Sequence, residues 1–159
     1  MTTVFDVPAG QLVEALTTKL RGIDSVKAAE WTRFAKTGRH TEKSPANSDW
    51  WHRRVASVLR KVYVMGPIGT SRLAAEFGGA ADRGSKPNRA VKGSGSATRM
   101  ALQQLEKAGL VQNVRNRGRI VSSKGRSLVD DTAFELFQMA VKADPSLEKY
   151  RTGAKSEKK

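Results

Sequence analysis

The positive charge of this 159-residue chain is concentrated in two segments. The sequence holds 29 Lys and Arg against 15 Asp and Glu, which gives a formal net charge of +14. Residues 50–61 carry four basic side chains and no acid, and residues 83–126 carry 11 basic side chains with Glu106 as the one acid. Because like charges repel one another, such clusters destabilise a compact chain unless a polyanion neutralises them. The distribution therefore predicts a nucleic-acid partner.

Neither a solvated surface nor a membrane-binding face accounts well for the basic segments. A solvated protein surface normally mixes acidic with basic side chains, and these segments hold almost no acid. A membrane-binding segment would combine its cations with a Trp and Leu face, but here they alternate with Gly, Ser and Asn. The longest apolar stretch, residues 62–68, is too short to span a bilayer. We therefore expect a soluble, cytoplasmic protein with no membrane partner.

The sequence lacks the residue sets of an enzyme active site. It has no cysteine, and His40 and His52 are its only imidazoles. No Ser/His/Asp set or metal-spaced cluster is visible, and the pair Asp130-Asp131 is interpreted as a helix N-cap. The run at residues 92–96 lacks the glycine and lysine order of a nucleotide-phosphate loop. We predict a protein that is not an enzyme, with no catalytic residues, metal, cofactor or small-molecule substrate.

The N-terminal third of the chain is predicted to be helical. Apolar residues at helical spacing predict a first helix that is capped by Asp6, has Pro8 in its first turn and ends at Gly22. Trp31 and Phe34 lie three residues apart, which predicts a short second helix (residues 28–36) and a place for both rings in the core.

A long helix is predicted to begin at residues 48–49, after a polar loop, and to end at residues 66–67, a Gly-Pro pair. Its apolar side chains recur on one face, and its basic side chains fall largely on other faces, so the helix can be buried on one side and charged on another. Because Trp50 and Trp51 adjoin the apolar face, we expect at least one of them in the core.

Two further helices are predicted on either side of a Gly-rich loop. The first begins at Thr70 or Ser71, and the second begins at Ser94 or Ser96 and is ended by a glycine. The loop between them, residues 78–95, is long for a compact domain, which favours a functional role. The N-terminus of the second helix, at residues 92–96 where the loop ends, could bind one backbone phosphate.

Two predicted strands, residues 110–114 and 119–122, are joined by a tight Asn-Arg-Gly turn and followed by a last helix at residues 129–141. This order is typical of a winged helix-turn-helix, although an unrelated helical domain with a hairpin would share it. We predict a mainly α fold, a helical bundle around a winged helix-turn-helix core with a small β-hairpin wing. Residues 1–145 form one RNA-binding domain in this prediction, and residues 146–159 form a polar, flexible tail.

The candidate nucleic-acid contacts are basic side chains on the long helix, in the Gly-rich loop, on the helix after it, and around the hairpin. Arginine pairs with phosphate through two parallel hydrogen bonds and stacks on bases, and small residues let a backbone approach a phosphate closely. The predicted contacts are Arg53, Arg54, Arg60, Lys61, Arg83, Lys86, Arg89, Lys92, Arg99, Arg115, Arg117, Arg119, Lys124 and Arg126.

Several ordered blocks give the chain a specific resemblance over about residues 3–142. The blocks are DWWHRRVAS at 49–57, RKVY at 60–63, GPIG at 66–69, FGG at 77–79, RGSKP at 83–87, KGSGS at 92–96 and LQQLEKAGLV at 102–111. With these blocks the chain resembles the small-subunit ribosomal protein nineteen family of archaea and eukaryotes, the "e" family. The polar tail and the Ala- and Ser-rich substitutions resemble an archaeal member.

The resemblance implies an α-helical bundle around a winged-helix core, bound to ribosomal RNA in the head of the small ribosomal subunit next to other head proteins. It also implies a role in subunit assembly and maturation and in translation. By position it places Arg54 and Arg60 on the family's basic central helix and Arg99 on its exposed helix, and it places Arg83, Lys86 and Lys92 in its basic loop.

The alternative function is that of a winged-helix DNA-binding transcriptional regulator. Such a protein normally dimerises to match two half-sites on DNA. The outer helices here are too short and too charged for a long dimer interface, and the basic residues are spread over several faces. We therefore do not expect an obligate homo-oligomer.

Overall fold

A computed structural model describes residues 2–150 of the chain. Five α-helices dominate it, with two separate two-stranded antiparallel sheets, which confirms the mainly α prediction. The elements are α1 (Ala9–Arg21), α2 (Trp50–Met65), α3 (Thr70–Glu76), β1 (Gly79–Ala81), β2 (Arg89–Val91), α4 (Gly95–Lys107), β3 (Val111–Val114), β4 (Gly118–Val121) and α5 (Ser123–Ala143). Two 3-10 turns, Glu30–Arg33 and Pro145–Tyr150, complete the fold.

Helix α2 lies at the centre of the core. Its side chains at Trp51, Val55, Leu59 and Val62 recur at helical spacing and are at most 1% exposed. Helices α1 and α4 pack against α2, α3 packs against α4, and α5 packs against α1. One continuous hydrophobic cluster joins these helices, so the charged faces of α2 are carried by a rigid element.

Three tryptophan rings meet at the N-terminal end of α2. Trp31, Trp50 and Trp51 contact one another edge to face, with ring centroids 5.4 to 6.5 Å apart. Trp51 is fully buried, and its Nε1 donates a hydrogen bond of 3.0 Å to the Gln104 side chain on α4. Trp50 is half-buried, and its Nε1 donates to the Thr32 carbonyl at 3.1 Å. The prediction that at least one of Trp50 and Trp51 is buried is confirmed.

Three details of the N-terminal prediction are wrong. The predicted helix over residues 28–36 is only a 3-10 turn, and the Phe34 ring is 85% exposed instead of lying in the core. Helix α1 starts directly after Pro8, so Asp6 is too far upstream to cap it. The Asp6 carboxylate instead accepts hydrogen bonds from the Thr3 amide and hydroxyl, at 2.6 and 3.0 Å, which closes a turn before the helix.

The predicted loop at residues 78–95 is largely a hairpin. Strands β1 and β2 pair with Ala80 opposite Ala90, and the connection over residues 82–88 is exposed. The base of the hairpin is attached to the chain between the first 3-10 turn and α2 by a bridge between Gly38 and Gly93. Strands of three residues with little β-branched character give no usable periodicity, which is why the sequence indicated a loop.

The second hairpin agrees with its prediction to within a residue at each strand end. Asn116 and Gly118 have positive φ angles of 62° and 105°, as the tight turn requires. Strand β4 also pairs with the chain before α3, because Ile68 and Arg119 exchange backbone hydrogen bonds of 3.1 and 3.0 Å. A Cβ on Gly118 would lie 2.6 Å from the Ile68 carbonyl, so only glycine fits this close approach.

The last helix begins six residues earlier than predicted. The Ser122 side chain caps α5 by accepting a hydrogen bond from the Gly125 amide at 3.1 Å. The Asp130-Asp131 pair therefore lies inside the helix and is not its N-cap, and Asp130 accepts a hydrogen bond from the Tyr63 hydroxyl at 2.8 Å. Part of the predicted tail forms the second 3-10 turn, and residues 151–159 lie outside the described residues.

Within residues 2–150, no helix combines the length and the apolar content needed to cross a bilayer.

We expect Gly118→Ala to lower the free energy of unfolding by more than about 1 kcal/mol, because alanine is strained at a positive φ and its Cβ meets the Ile68 carbonyl. Gly10→Ala is the matched control: Gly10 lies in α1 with open space around it, and alanine there stabilises by about 0.5–1 kcal/mol. Urea unfolding followed by circular dichroism measures both. Equal effects of the two substitutions would contradict the close approach at Gly118.

Candidate nucleic-acid interface

One row of side chains on α2 faces the end of α3. Arg54, Ser57 and Lys61 are spaced by three and four residues and therefore share one side of the helix. The Phe77 ring packs under this row, with the Arg54 Cζ atom 4.3 Å and the Lys61 Nζ atom 5.6 Å from the ring centroid. Both distances are in the range of a cation–π interaction. Phe77 is half-buried and supports the two cations from below.

Arg54 differs from Arg53 and Lys61 because no carboxylate of the described residues pairs with it. Arg53 pairs with Glu14, and Lys61 pairs with Glu76 at 2.7 Å. Arg54 is half-buried, and burial lowers the pKa of its guanidinium from the ordinary value. Since arginine stays charged in proteins, Arg54 keeps a partly desolvated positive charge that no acid of the described residues compensates.

A cleft of about 480 Å³ opens beside Arg54. One wall is the polar segment at residues 37–47, and the other is formed by the first turns of α2 and by Phe77. No acidic residue of the described chain lines the cleft, and its cations are Lys43, Arg53 and Arg54. The sequence indicated only a polar loop over residues 39–47, so this wall of the site was missed. Lys43, two residues before Pro45, was the one local signal, and it is too common to identify a site.

The first hairpin carries four of the predicted cations at its surface. Arg83, Lys86, Arg89 and Lys92 are all exposed, and none has a carboxylate partner among residues 2–150. Lys92 makes one weak contact, from its Nζ to the Ser71 hydroxyl at 3.3 Å. The bridge between Gly38 and Gly93 joins the base of the hairpin to the segment at residues 37–47, which forms one wall of the cleft.

Helix α4 presents a polar face next to these elements. Arg99, Gln103 and Lys107 are exposed and recur every four residues, while the opposite side of the helix is buried. The Ser94 side chain caps this helix as predicted, accepting a hydrogen bond from the Ala97 amide at 3.2 Å. Arg99 therefore lies on a rigid, solvent-facing surface.

The second hairpin separates its three arginines. Arg115 and Arg117 are exposed at the tip, whereas Arg119 is half-buried and pairs with Glu106 on α4 at 3.1 Å. The two paired side chains are only 18% and 27% exposed, and the Arg119 Nε atom is buried without a hydrogen-bond partner in the described part of the chain. Arg119 therefore links the hairpin to α4 through an ion pair. Arg115 and Arg117 are the arginines of this hairpin that a ligand can contact.

The remaining predicted contacts differ in how far they are buried. Lys124 and Arg126 are exposed in the first turn of α5, and the Arg126 guanidinium lies 5.5 Å from the Tyr63 ring centroid. Burial, followed by the hydrogen bond to Asp130, raises the pKa of the Tyr63 hydroxyl. Arg60 is half-buried, and its Nε atom has no hydrogen-bond partner within residues 2–150.

No group of three or more His, Cys, Asp or Glu side chains in residues 2–150 is arranged to hold a metal ion. The site is instead a set of cations on α2, the first hairpin, α4 and the tip of the second hairpin. Groups of this kind bind phosphates by charge and direct hydrogen bonds.

Arg119→Ala is expected to lower the free energy of unfolding by about 1–2 kcal/mol, because it leaves Glu106 without its partner. Arg117→Ala should change stability by less than about 0.5 kcal/mol, since the side chain is exposed and unpaired within residues 2–150, but should weaken binding to RNA. Chemical unfolding and filter binding measure the two properties. A stable Arg119→Ala variant with weakened RNA binding would contradict the structural role of Arg119 and would indicate that Arg119 contacts RNA.

The sequence matches the family described as Ribosomal protein S19e over residues 3–139. Two archaeal relatives carry the name small ribosomal subunit protein eS19. The protein of Haloarcula marismortui is 46% identical over 94% of this chain and 99% of its own length. That of Aeropyrum pernix is 45% identical over the same shares.

A eukaryotic relative, small ribosomal subunit protein eS19B of Schizosaccharomyces pombe, is 34% identical over 86% of this chain and 95% of its own length. The higher identity to the archaeal proteins agrees with the archaeal type that the sequence indicated. On the extent of these matches, the chain belongs to the ribosomal protein S19e family.

Proposed function

We propose that this protein is a structural, RNA-binding constituent of the small ribosomal subunit, and that it binds ribosomal RNA in the subunit head. The relatives at 46% and 45% identity are named as proteins of that subunit. The family is one of structural proteins, which confirms that the chain is not an enzyme. The names of these relatives give no support to the alternative of a DNA-binding regulator.

The observation that carries the proposal is the unpaired charge of Arg54 beside a cleft that no acid of the described residues lines. Three other cations of the predicted set are neutralised by Glu14, Glu76 and Glu106 inside the protein. These glutamates thus neutralise Arg53, Lys61 and Arg119, and the other predicted cations have no carboxylate partner among the described residues. An RNA phosphate would offset the charge of Arg54 in a partly desolvated place, where the interaction is stronger than in water.

Phosphate contacts dominate in this mechanism. Structured RNA hides its base edges in a deep major groove, so exposed basic side chains meet backbone oxygens first. The exposed hairpins extend the basic surface beyond α2, so that separate RNA segments are held in one arrangement. Holding RNA in this way is how the protein supports subunit assembly and translation.

The winged helix-turn-helix interpretation belongs to this proposal. Helices α3 and α4 followed by the β3–β4 hairpin have the order of that module, with α4 as the helix presented to the nucleic acid. The exposed face with Arg99, together with Arg115 and Arg117 at the hairpin tip, would contact RNA as such a module contacts DNA. Residues 1–145 form one RNA-binding domain, which is not an obligate homo-oligomer and lies among neighbouring head proteins.

The double substitution Arg83→Glu and Lys86→Glu is expected to remove the protein from small subunits without unfolding it, because both side chains are exposed and unpaired within residues 2–150. Tagged protein is followed through a sucrose gradient of a cell lysate at moderate salt. The wild type should co-migrate with the small subunit, and the variant should remain near the top of the gradient.

The control is Lys142→Glu with Lys149→Glu, the same charge change at exposed positions outside both basic segments. This variant should co-migrate like the wild type, and circular dichroism melts should show that both variants fold. Normal incorporation of the Arg83 and Lys86 variant, or no co-migration of the wild type, would contradict the proposal.

A further inference from the structure

The cleft beside Arg54 has more than one kind of binding group on its walls. Most of the basic surface consists of exposed cations, which suit the phosphates of a nucleic-acid backbone. The cleft adds two aromatic rings, Trp50 and Phe77, and a set of uncharged hydrogen-bonding side chains. Its volume of about 480 Å³ lies within the range of small-molecule sites.

The aromatic wall is held in place before any ligand arrives. Trp50 is fixed by its hydrogen bond to the Thr32 carbonyl at 3.1 Å and by edge-to-face contacts with Trp31 and Trp51. Phe77 is fixed under the guanidinium of Arg54. A rigid ring or guanidinium plane is a stacking surface for a base, and little entropy is lost when a base settles on it.

The polar groups of the cleft are partly unused. Thr41 donates to the Gly38 carbonyl at 2.9 Å, and Ser57 donates to the Arg53 carbonyl at 2.8 Å, so each hydroxyl keeps its acceptor capacity. The Asn47 side chain makes no hydrogen bond within residues 2–150 and can both donate and accept. Donors and acceptors of this kind suit the edge of a base that is not paired.

We propose that the cleft binds a single unpaired nucleotide of RNA, turned out of its helix, with its phosphate at Arg54 and Lys43 and its base against Trp50. The neighbouring polar side chains, among them Asn47, meet the edge of the base. This inference rests on the proposed RNA-binding function and adds to it a recognition element. The protein then distinguishes RNA with a bulged nucleotide from a continuous helix, which phosphate contacts alone do not do.

The test compares two RNA hairpins with the same number of nucleotides and phosphates. One carries an adenosine bulged from the stem, and the other carries that adenosine in its loop, with a fully paired stem. Affinities are measured by fluorescence anisotropy with the full chain, at moderate salt and with unlabelled duplex RNA present to suppress binding by charge alone. The bulged RNA should bind at least about fivefold more tightly, the smallest effect of stacking one base.

Three variants test whether the preference for the bulged RNA arises in the cleft. Arg54→Lys keeps the charge but removes the planar guanidinium, and Asn47→Ala removes a side chain that makes no hydrogen bond within residues 2–150. Both should lower the affinity ratio, while the stacking surface of Trp50 remains. Lys86→Ala, the control, removes one cation from the hairpin and should weaken binding to both RNAs while leaving their ratio unchanged.

Equal affinity of the wild type for the two RNAs would overturn the proposal, as would a preference that neither Arg54→Lys nor Asn47→Ala lowers. Adenosine monophosphate serves as a further probe. It should compete only at millimolar concentration, and competition at micromolar concentration would assign the cleft to a free nucleotide instead. In each of these outcomes the protein still binds RNA, so only the proposal for the cleft fails. Failure of the proposed ribosomal function would instead be seen in the sucrose gradient, as absence of the wild type from the small-subunit peak.

Discussion

Helix α2 has to bury one face and keep the other charged, and the arrangement of the rest of the fold depends on this division. The buried side chains from Trp51 to Val62 form the centre of the core. Arg54 and Lys61, which cannot enter that core, lie over the ring of Phe77 at the end of α3. The position and rigidity of Arg54 and Lys61 are therefore consequences of how the core is packed.

The few acids near the basic surface divide its cations into two groups. Glu14, Glu76 and Glu106 each pair with one cation and thereby link α1, α3 and the second hairpin to their neighbours. The exposed pairs contribute little to stability, while the less exposed pair between Arg119 and Glu106 contributes more. Exposed cations such as Arg83, Lys86 and Arg117 remain unpaired among the described residues and are open to a polyanion. A partner that neutralises them removes repulsion that the isolated protein must tolerate.

Long helices with a clear apolar period could be predicted from the sequence. The α2 and α4 boundaries and the β3–β4 turn follow from caps, glycines and alternation, which are local signals. Phe34 was assigned to the core because its spacing from Trp31 is helical, but the segment is too short to form a helix and the ring stays exposed. The early start of α5 was missed because its first turns are polar and only the Ser122 cap marks them.

The candidate site was predictable in its chemistry but not in its geometry. Charge clustering identified the basic residues, since it needs no knowledge of the fold. It could not separate Arg119 from Arg117, because the distance to Glu106 is set by how α4 and the hairpin pack. The contribution of residues 37–47 to the cleft arises from a single bridge between two glycines, which leaves no pattern in the sequence.

The most direct test of RNA binding through α2 and the two hairpins is ultraviolet crosslinking of intact small subunits, followed by mass spectrometry of the peptides of this protein that carry RNA. We expect crosslinked peptides from the start of α2, from the first hairpin and from the tip of the second hairpin. Peptides from the C-terminal half of α5 should be free of RNA. Crosslinks confined to α5, with none on α2 or the hairpins, would contradict this interface.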